Sequence, residues 1–223
     1  MRLCMFHPND HPMERGWVGR IDGDRVFHLA AQTLQSFFLG GSGAREHAEY
    51  PLADVKLLVP VQAPPTVRVF TASGAFRFAN ATSVVGPNAP IAGAALTACA
   101  RIAAVIGAEG EIGGYSGLLE WQDPTELPPV KQSDFGLVLG PVVVTPDEID
   151  PSAVVIRVAA NGRNEEASPA PFSWPEAIAL ASRRTTLRPG DVIAGPPVAT
   201  LTDVGTSVRL EIEGVGALDC PLA

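Results

Sequence analysis

Histidine is absent after residue 47 of this 223-residue sequence, and basic side chains are scarce, with 16 Lys and Arg against 24 Asp and Glu. Most of the chain therefore lacks the commonest general base and the usual partner of a serine or cysteine nucleophile. The sequence also has no Gly-x-Ser-x-Gly motif, phosphate loop or dinucleotide-binding glycine motif. These absences argue against a hydrolytic triad in the main part of the chain.

The sequence also lacks three other features: clusters of positive charge, paired cysteines and long apolar runs. The formal charge of −8 gives no electrostatic reason to bind a phosphate backbone, so we expect no nucleic-acid partner. The three cysteines are far apart and form no Cys-x-x-Cys motif, which is typical of reduced cytoplasmic thiols. No signal-peptide pattern or membrane-spanning run is present, and the sequence predicts a soluble, cytoplasmic protein without a membrane partner.

The four histidines give no clear metal site in the sequence. His7 and His11 have a spacing that suits a metal on a helix, but a proline follows each of them. We interpret this segment as an ordinary surface loop. His28 falls in a predicted hairpin strand and His47 in a polar segment, and nothing in the sequence converges on either.

Glycine and proline, with 22 and 21 copies, predict many turns and short strands. The stretch WVGRIDGDRVFHL predicts a hairpin, because Asp22-Gly23 supplies a turn residue that tolerates a positive φ. The stretch AAQTLQSFFLGG has helical spacing and ends on Gly40-Gly41, which is typical of a helix C-terminus. The first part of the chain is therefore predicted to be a small hairpin and helix unit.

A proline-rich segment, VQAPPTV at residues 61–67, is the best candidate boundary. We divide the chain into a small leading domain, residues 1–63, and a core domain, residues 64–223. Short apolar runs separated by turn residues dominate the core, and its one well-specified helix has a capping box of Ser173 and Glu176. The predicted fold class is mainly β (α+β).

One strand of the core carries unusual side chains. LTACARIAAVIG, residues 96–107, predicts a buried strand with Cys99 and Arg101 on the same face. Glu120 follows a second apolar run, and Lys131 precedes a third. A buried charge needs a partner, so a structural Arg101–Glu120 ion pair is one interpretation and a catalytic role is the other.

Several segments, taken in order, resemble the fumarylacetoacetate hydrolase family: SVVGPNAPI, AAVIG, DFGLVLGPVVVTPDEID, LRPGDVIAGPP and VRLEIEGVGAL. The match covers about residues 51–220, and the N-terminal hairpin resembles the small leading domain of many members. The resemblance implies a mixed β-roll, usually homodimeric, around a divalent metal that chelates a small anionic oxo-acid. Members include acylpyruvate hydrolases, oxaloacetate decarboxylases, isomerases and hydratases.

The metal ligands implied by the resemblance are largely missing. The family has Glu-x-Glu where this chain has Cys99 and Arg101, and a thiol and a guanidinium are poor ligands for Mg²⁺ or Mn²⁺. The position of the family's third ligand, an Asp, falls at Glu120, the only retained metal candidate. The sequence therefore predicts no bound metal, unless another carboxylate replaces the lost ones; the candidates are Glu109, Glu111 and Asp123.

Other family features are altered too. The family's short helix with a catalytic His has shrunk to TASGAFRFAN, residues 71–80, without a histidine. Its Gly-Thr-Pro near the substrate carboxylate appears as Gly195-Pro196-Pro197, which removes a hydroxyl donor. Of the family's active-site residues, Lys has a counterpart here in Lys131.

Three functions follow as hypotheses. The first is a metal-independent decarboxylase, tautomerase, dehydratase or cyclase of a small oxo-acid, in which Arg101 and Lys131 hold an enolate and Glu120 or Cys99 acts as acid or base. The second is a noncatalytic protein that binds a metabolite or a protein partner. The third is an ordinary Mg- or Mn-dependent C–C bond hydrolase.

Overall fold

The computed structural model describes residues 1–72, 74–169 and 171–223. Strand is the commonest secondary structure, at 44% against 13% helix, which confirms the mainly β prediction. The strands are β1 (Arg2–Pro8), β2 (Trp17–Asp22), β3 (Arg25–Leu29), β4 (Glu46–Pro51), β5 (Val55–Leu58), β6 (Val67–Phe70), β7 (Phe76–Ala79), β8 (Val84–Val85), β9 (Thr97–Ile106), β10 (Ile112–Gln122), β11 (Leu137–Val144), β12 (Ile156–Ala160), β13 (Arg163–Ala167), β14 (Val192–Ala194), β15 (Ala199–Leu201), β16 (Ser207–Ile212) and β17 (Gly216–Pro221). The helices are α1 (Leu34–Leu39) and α2 (Trp174–Ser182).

The strands form a large mixed sheet and a small antiparallel one. The large sheet has the order β4-β3-β2-β1-β11-β10-β9-β14-β6-β7, with β5, β8 and β15 paired to β1, β11 and β9. The small sheet has the order β13-β12-β16-β17. Because β1 pairs with β11, the leading strands continue the sheet of the core. The domain division at residue 63 stays a prediction.

Strand β9 is buried on both faces, as its nearly continuous apolar sequence requires. On one face, Ala100, Ile102 and Ala104 pack into a core shared with the small sheet and α2. On the other face, Ala103 and Val105 pack into a second core that includes residues of α1. The central strands therefore hold their side chains between two packed layers.

The predicted hairpin and both predicted helices are present. Strands β2 and β3 pair as expected, and Gly23 has a φ of +57° in the turn. Helix α1 begins with a capping box between Thr33 and Ser36, and the side chain of Ser173 caps α2 by accepting from the Glu176 backbone N–H at 3.3 Å. Within the described residues, neither helix has the length or the apolar run needed to cross a membrane.

The histidines are arranged differently from the sequence interpretation. His7 lies buried at the end of β1 rather than in a surface loop, whereas His11 is exposed. His28 and His47, expected to have no converging neighbours, have ring centroids only 5.4 Å apart. Trp17 stacks on His28 at 4.7 Å, so the pairing of β2, β3 and β4 assembles an aromatic and imidazole cluster that the sequence does not reveal.

Substitutions at two glycines of the leading strands, Gly16 and Gly23, can measure how tightly these strands pack. At Gly16, with a φ of +70°, an added Cβ would collide with the Phe6 carbonyl oxygen and the Leu58 side chain. At Gly23, with a φ of +57°, an added Cβ would meet nothing within 4 Å. We expect Gly16→Ala to lower the free energy of unfolding by about 2–5 kcal/mol, the sum of backbone strain and overpacking, and Gly23→Ala by about 1–2 kcal/mol from strain alone. Urea denaturation of both variants measures the difference, and equal losses would contradict the packing argument.

Candidate functional site

The central antiparallel pair of strands brings three of the predicted site residues together. In the register of β9 and β10, Glu120 lies directly opposite Cys99. Arg101 lies two residues further along β9, and alternate residues of a strand share a face. Cys99, Arg101 and Glu120 therefore lie on the same face of the sheet.

The Arg101–Glu120 ion pair expected from the sequence is present. Nε and Nη2 of Arg101 lie 2.8 and 2.7 Å from Oε2 of Glu120. Nη1 of Arg101 donates to the backbone carbonyls of Phe70 and Gly195, at 2.9 and 2.7 Å. The Arg101 side chain is 7% exposed and that of Glu120 is fully buried. Burial lowers the pKa of Arg101 to about 10, so its guanidinium remains charged at neutral pH.

A second guanidinium, that of Arg77, completes the cluster and was missed by the sequence analysis. Nη2 of Arg77 donates to Oε1, the other carboxylate oxygen of Glu120. The Arg77 side chain is 39% exposed, and partial burial lowers its pKa. The only sequence signal is the alternation Phe-Arg-Phe at residues 76–78, which is typical of a short strand. We call Arg77, Arg101 and Glu120 the Arg–Glu–Arg cluster.

The segment that carries Arg77 differs from the shortened helix implied by the resemblance. Within residues 71–80, apart from Ser73, which lies outside the described residues, the structure has the edge strand β7. Strand β7 pairs with β6 so that Arg77 lies opposite Val69. This register directs the Arg77 side chain toward the face that carries Glu120, and Arg77 thus reaches the site from a sheet edge.

Cys99 lies beside the cluster, two residues before Arg101 on β9. Its Sγ is 3.8 Å from Oγ1 of Thr200, which lies opposite Cys99 on β15. Thr200 is exposed and Cys99 is buried. The thiol therefore lies just below the surface, next to a hydroxyl.

Lys131 is not brought to the cluster. It lies in a short 3₁₀ turn before β11, its side chain is 52% exposed, and its Nζ binds Oδ2 of Asp134 at 2.8 Å. Among the described residues, no hydrogen bond or ion pair connects Lys131 with Arg101 or Glu120. Its role in the site stays a prediction.

Comparison with known proteins identifies the family. The model of the fumarylacetoacetate (FAA) hydrolase C-terminal region matches residues 115–223, which include most of β10 and all the strands of the small sheet. Residues 115–223 belong to the fumarylacetoacetate hydrolase family. Over its whole length the chain is 26% identical to oxaloacetate tautomerase fahd2, mitochondrial, of Xenopus laevis, and the alignment covers 90% of that protein.

Two further comparisons concern a bacterial enzyme and a crystal structure. A homoprotocatechuate catabolism bifunctional isomerase/decarboxylase of Escherichia coli is 42% identical over 72 residues, covering 31% of this chain and 17% of that protein. The crystal structure of maleylpyruvate hydrolase from Sphingobium sp. SYK-6 with manganese(II) and pyruvate has a TM-score of 0.79 at 23% identity, covering 100% of this chain and 99% of the other. The fumarylacetoacetate hydrolase fold therefore extends over the whole chain.

The cluster does not fit the Mg²⁺ or Mn²⁺ ion that the family resemblance implies. Such ions prefer several oxygen ligands, but Glu120 is the one carboxylate here and each of its oxygens binds a guanidinium. Arg101 also places a positive charge beside this carboxylate. Within the described parts of the chain, no group of three or more His, Cys, Asp or Glu side chains could hold a metal ion.

The carboxylates considered as replacement ligands lie elsewhere or are already bound. Asp123 accepts hydrogen bonds from the hydroxyl and backbone N–H of Thr125 and from the backbone N–H groups of Ala94 and Ala95. The Thr125 hydroxyl contributes most to lowering the pKa of Asp123 to about 2. Glu109 and Glu111 are exposed in the turn beyond the far end of β9. None of the three joins Glu120.

A cleft of about 520 Å³ lies next to the hairpin of β6 and β7. Its wall is mostly apolar and includes Phe70, Phe172, Pro196 and Pro197, with Glu176 of α2 among the few polar side chains. The carbonyl oxygen of Phe70 also accepts a hydrogen bond from Arg101, so Phe70 lies between the cleft and the Arg–Glu–Arg cluster. The paired prolines contribute neither an N–H nor a hydroxyl donor.

The contribution of the cluster to stability can be measured by removing one charge and then a pair of charges. Glu120→Gln leaves Arg101 buried without its counter-charge, and we expect it to lower the free energy of unfolding by about 3–5 kcal/mol. The double variant Arg101→Met with Glu120→Leu should recover much of that loss, because no charge then stays buried in the core and Arg77 can turn to solvent.

Lys131→Met is the matched control, since it removes one partner of an exposed ion pair and should cost no more than about 1 kcal/mol. Chemical denaturation of the four proteins gives the comparison. A loss for Glu120→Gln no larger than that for Lys131→Met would show that the cluster does not stabilise the fold.

Proposed function

We propose that this protein binds a small anionic oxo-acid without a divalent metal, and that enolisation is the class of reaction it promotes. The observation that carries the proposal is the pair of guanidinium groups on Glu120. They supply positive charge at the position where the family resemblance implies a metal ion. The family relatives include a tautomerase and an isomerase/decarboxylase by name, which supports an oxo-acid as the ligand class.

The charge balance of the cluster favours an anionic ligand. One carboxylate faces two guanidiniums, which leaves one positive charge uncompensated. All three nitrogens of Arg101 are engaged, but Arg77 uses only Nη2 among the described contacts and is 39% exposed. Arg77, rather than Arg101, is therefore the residue we assign to the ligand. A guanidinium matches the planar, bidentate geometry of a carboxylate.

Enolisation suits this site better than hydrolysis. It requires a cation or donors that stabilise an enolate oxygen and a group that moves a proton, and it does not require an activated water. Both oxygens of Glu120 are already bound, so Cys99, whose thiol lies next to Thr200 and opposite Glu120, is the remaining candidate for proton transfer. Arg77 would hold the carboxylate or enolate of the ligand.

A noncatalytic binding protein is the second candidate, and a specific observation favours it. Glu120 is fully buried, and Arg101 is held by two backbone carbonyls as well as by the carboxylate. Because the polar groups of Arg101 and Glu120 have hydrogen-bond partners within the protein, the cluster stabilises the fold without any ligand. In this alternative the fold binds a metabolite or a protein and performs no chemistry.

A thermal-shift titration with oxalate, a mimic of an enolate, tests whether the protein binds an anion without a metal. We expect oxalate alone to raise the melting temperature by several degrees, since a ligand at about 100 times its Kd adds about 2.7 kcal/mol to the stability of the folded state. Arg77→Ala should abolish the shift, and Lys131→Ala, the matched loss of an exposed cation, should retain it.

A shift that requires Mg²⁺ or Mn²⁺ together with oxalate would instead support the metal-dependent hydrolase. No shift under any condition would contradict anion binding at Arg77. If binding occurs, the decay of the oxaloacetate enol, followed by ultraviolet absorbance, separates the enzyme from the noncatalytic protein. An enzyme should accelerate the decay and lose the acceleration in Arg77→Ala and Cys99→Ser.

The homodimer implied by the resemblance is also a proposal. The segments around Phe78 and around Leu127 and Val130 expose large apolar side chains, and a hydrogen bond from Asn80 to the Asp134 carbonyl links these segments. We expect light scattering after gel filtration to give twice the monomer mass of 23.3 kDa. The variant Phe78→Asp with Val130→Asp should shift the mass toward the monomer, and an unchanged dimer would exclude these segments as its interface.

A further inference from the structure

A β-bulge between β3 and β4 brings two histidines together on the surface of the leading strands. His28 pairs with Ala48, and the next residue, Leu29, pairs with Glu46, so His47 is the extra residue of the bulge. In a regular ladder, His47 would point away from the face that carries His28 and Ala48. The bulge changes the direction of the His47 side chain, as such irregularities do beside many functional sites.

The separation of the two rings fits a shared metal ion. Two imidazole nitrogens at about 2.0–2.1 Å from a tetrahedral ion, with a ring radius of about 1.1 Å, place the ring centroids about 5.2 Å apart. The centroids of His28 and His47 are 5.4 Å apart. The His28 ring is also oriented by the indole of Trp17, which stacks on it at 4.7 Å with an angle of 16° between the planes.

The surroundings leave the pair open to a ligand from solvent. Both histidines line a cleft of about 520 Å³, together with Gln32 and Ser36. The acidic side chains of β4 are engaged elsewhere: Glu46 binds Arg20, and Glu49 binds Arg25, both at 2.7 Å. Neither glutamate is therefore paired with His28 or His47, and imidazole nitrogens are the donors that the two histidines offer to a ligand.

We propose that His28 and His47 form a binding site for a divalent transition metal of borderline softness, of which Zn²⁺ is the representative. Imidazole nitrogen suits Zn²⁺, Ni²⁺ and Cu²⁺, whereas Mg²⁺ and Mn²⁺ prefer oxygen ligands. Two protein ligands leave at least two positions of a tetrahedral ion to water or to a small chelating ligand. The site is separate from the Arg–Glu–Arg cluster and does not depend on the function proposed there.

Calorimetric titration of the whole protein with Zn²⁺ tests the site. One Zn²⁺ should bind, and His28→Gln and His47→Gln should each raise the Kd by at least about tenfold, because losing even an outer-shell partner of a metal costs about 10–100-fold. His11→Gln is the matched control, since it removes an exposed imidazole whose ring centroid lies 6.5 Å from that of Trp17, and it should leave the Kd unchanged.

Fluorescence gives a second readout that does not depend on the strength of Zn²⁺ binding. Cu²⁺ bound at His28 should quench the emission of Trp17, and Trp17→Phe should remove the quenched component, because Trp121 and Trp174 are buried elsewhere in the core. Circular dichroism confirms that each variant is folded. An unchanged Kd in His47→Gln, or an equal loss in His11→Gln, would overturn the proposal.

Discussion

The burial of a single carboxylate, that of Glu120, is the constraint on which the centre of this molecule depends. Glu120 lies on the long strand β10 with no exposure to solvent, where an unpaired charge would cost several kcal/mol. Two guanidiniums meet this requirement from different parts of the sheet: Arg101 from the neighbouring strand and Arg77 from the edge strand β7. The carbonyls of Phe70 and Gly195 complete the coordination of Arg101. One buried charge thereby connects β10 with β9, β7, the end of β6 and the segment after β14.

The sequence predicts this arrangement only in part. Alternation along one strand is sufficient to place Cys99 and Arg101 on a common face, and the physical need for a counter-charge is sufficient to pair Arg101 with Glu120. Arg77 could not be found in the same way, because its segment was interpreted as the remnant of a helix, and its contact to Glu120 spans 43 residues. The family resemblance predicted a shortened helix in this segment, whereas the structure has the strand β7.

The same limit applies to the histidines. The hairpin of β2 and β3 follows from its turn residues, but the position of His47 depends on a bulge, and a shift of one residue in register reverses the direction of a side chain. No spacing rule in the sequence brings His28 and His47 together. The family resemblance suggested Lys131 as a site residue, and the structure adds an exposed ion pair with Asp134 that the resemblance did not imply. Local patterns therefore identified strands and caps more reliably than contacts between distant segments.

The contacts of Arg101 also bear on the order in which the chain can assemble. Its hydrogen bonds span 19 residues to Glu120, 31 to Phe70 and 94 to Gly195. Closing such loops costs entropy before any contact is made, so local hairpins form more readily than this junction. Until Gly195, in the segment after β14, packs against Arg101, one of the guanidinium N–H groups stays hydrated and Arg101 cannot be fully buried. Arg101 thus makes the docking of a segment late in the chain a condition for a dry, fully packed interior.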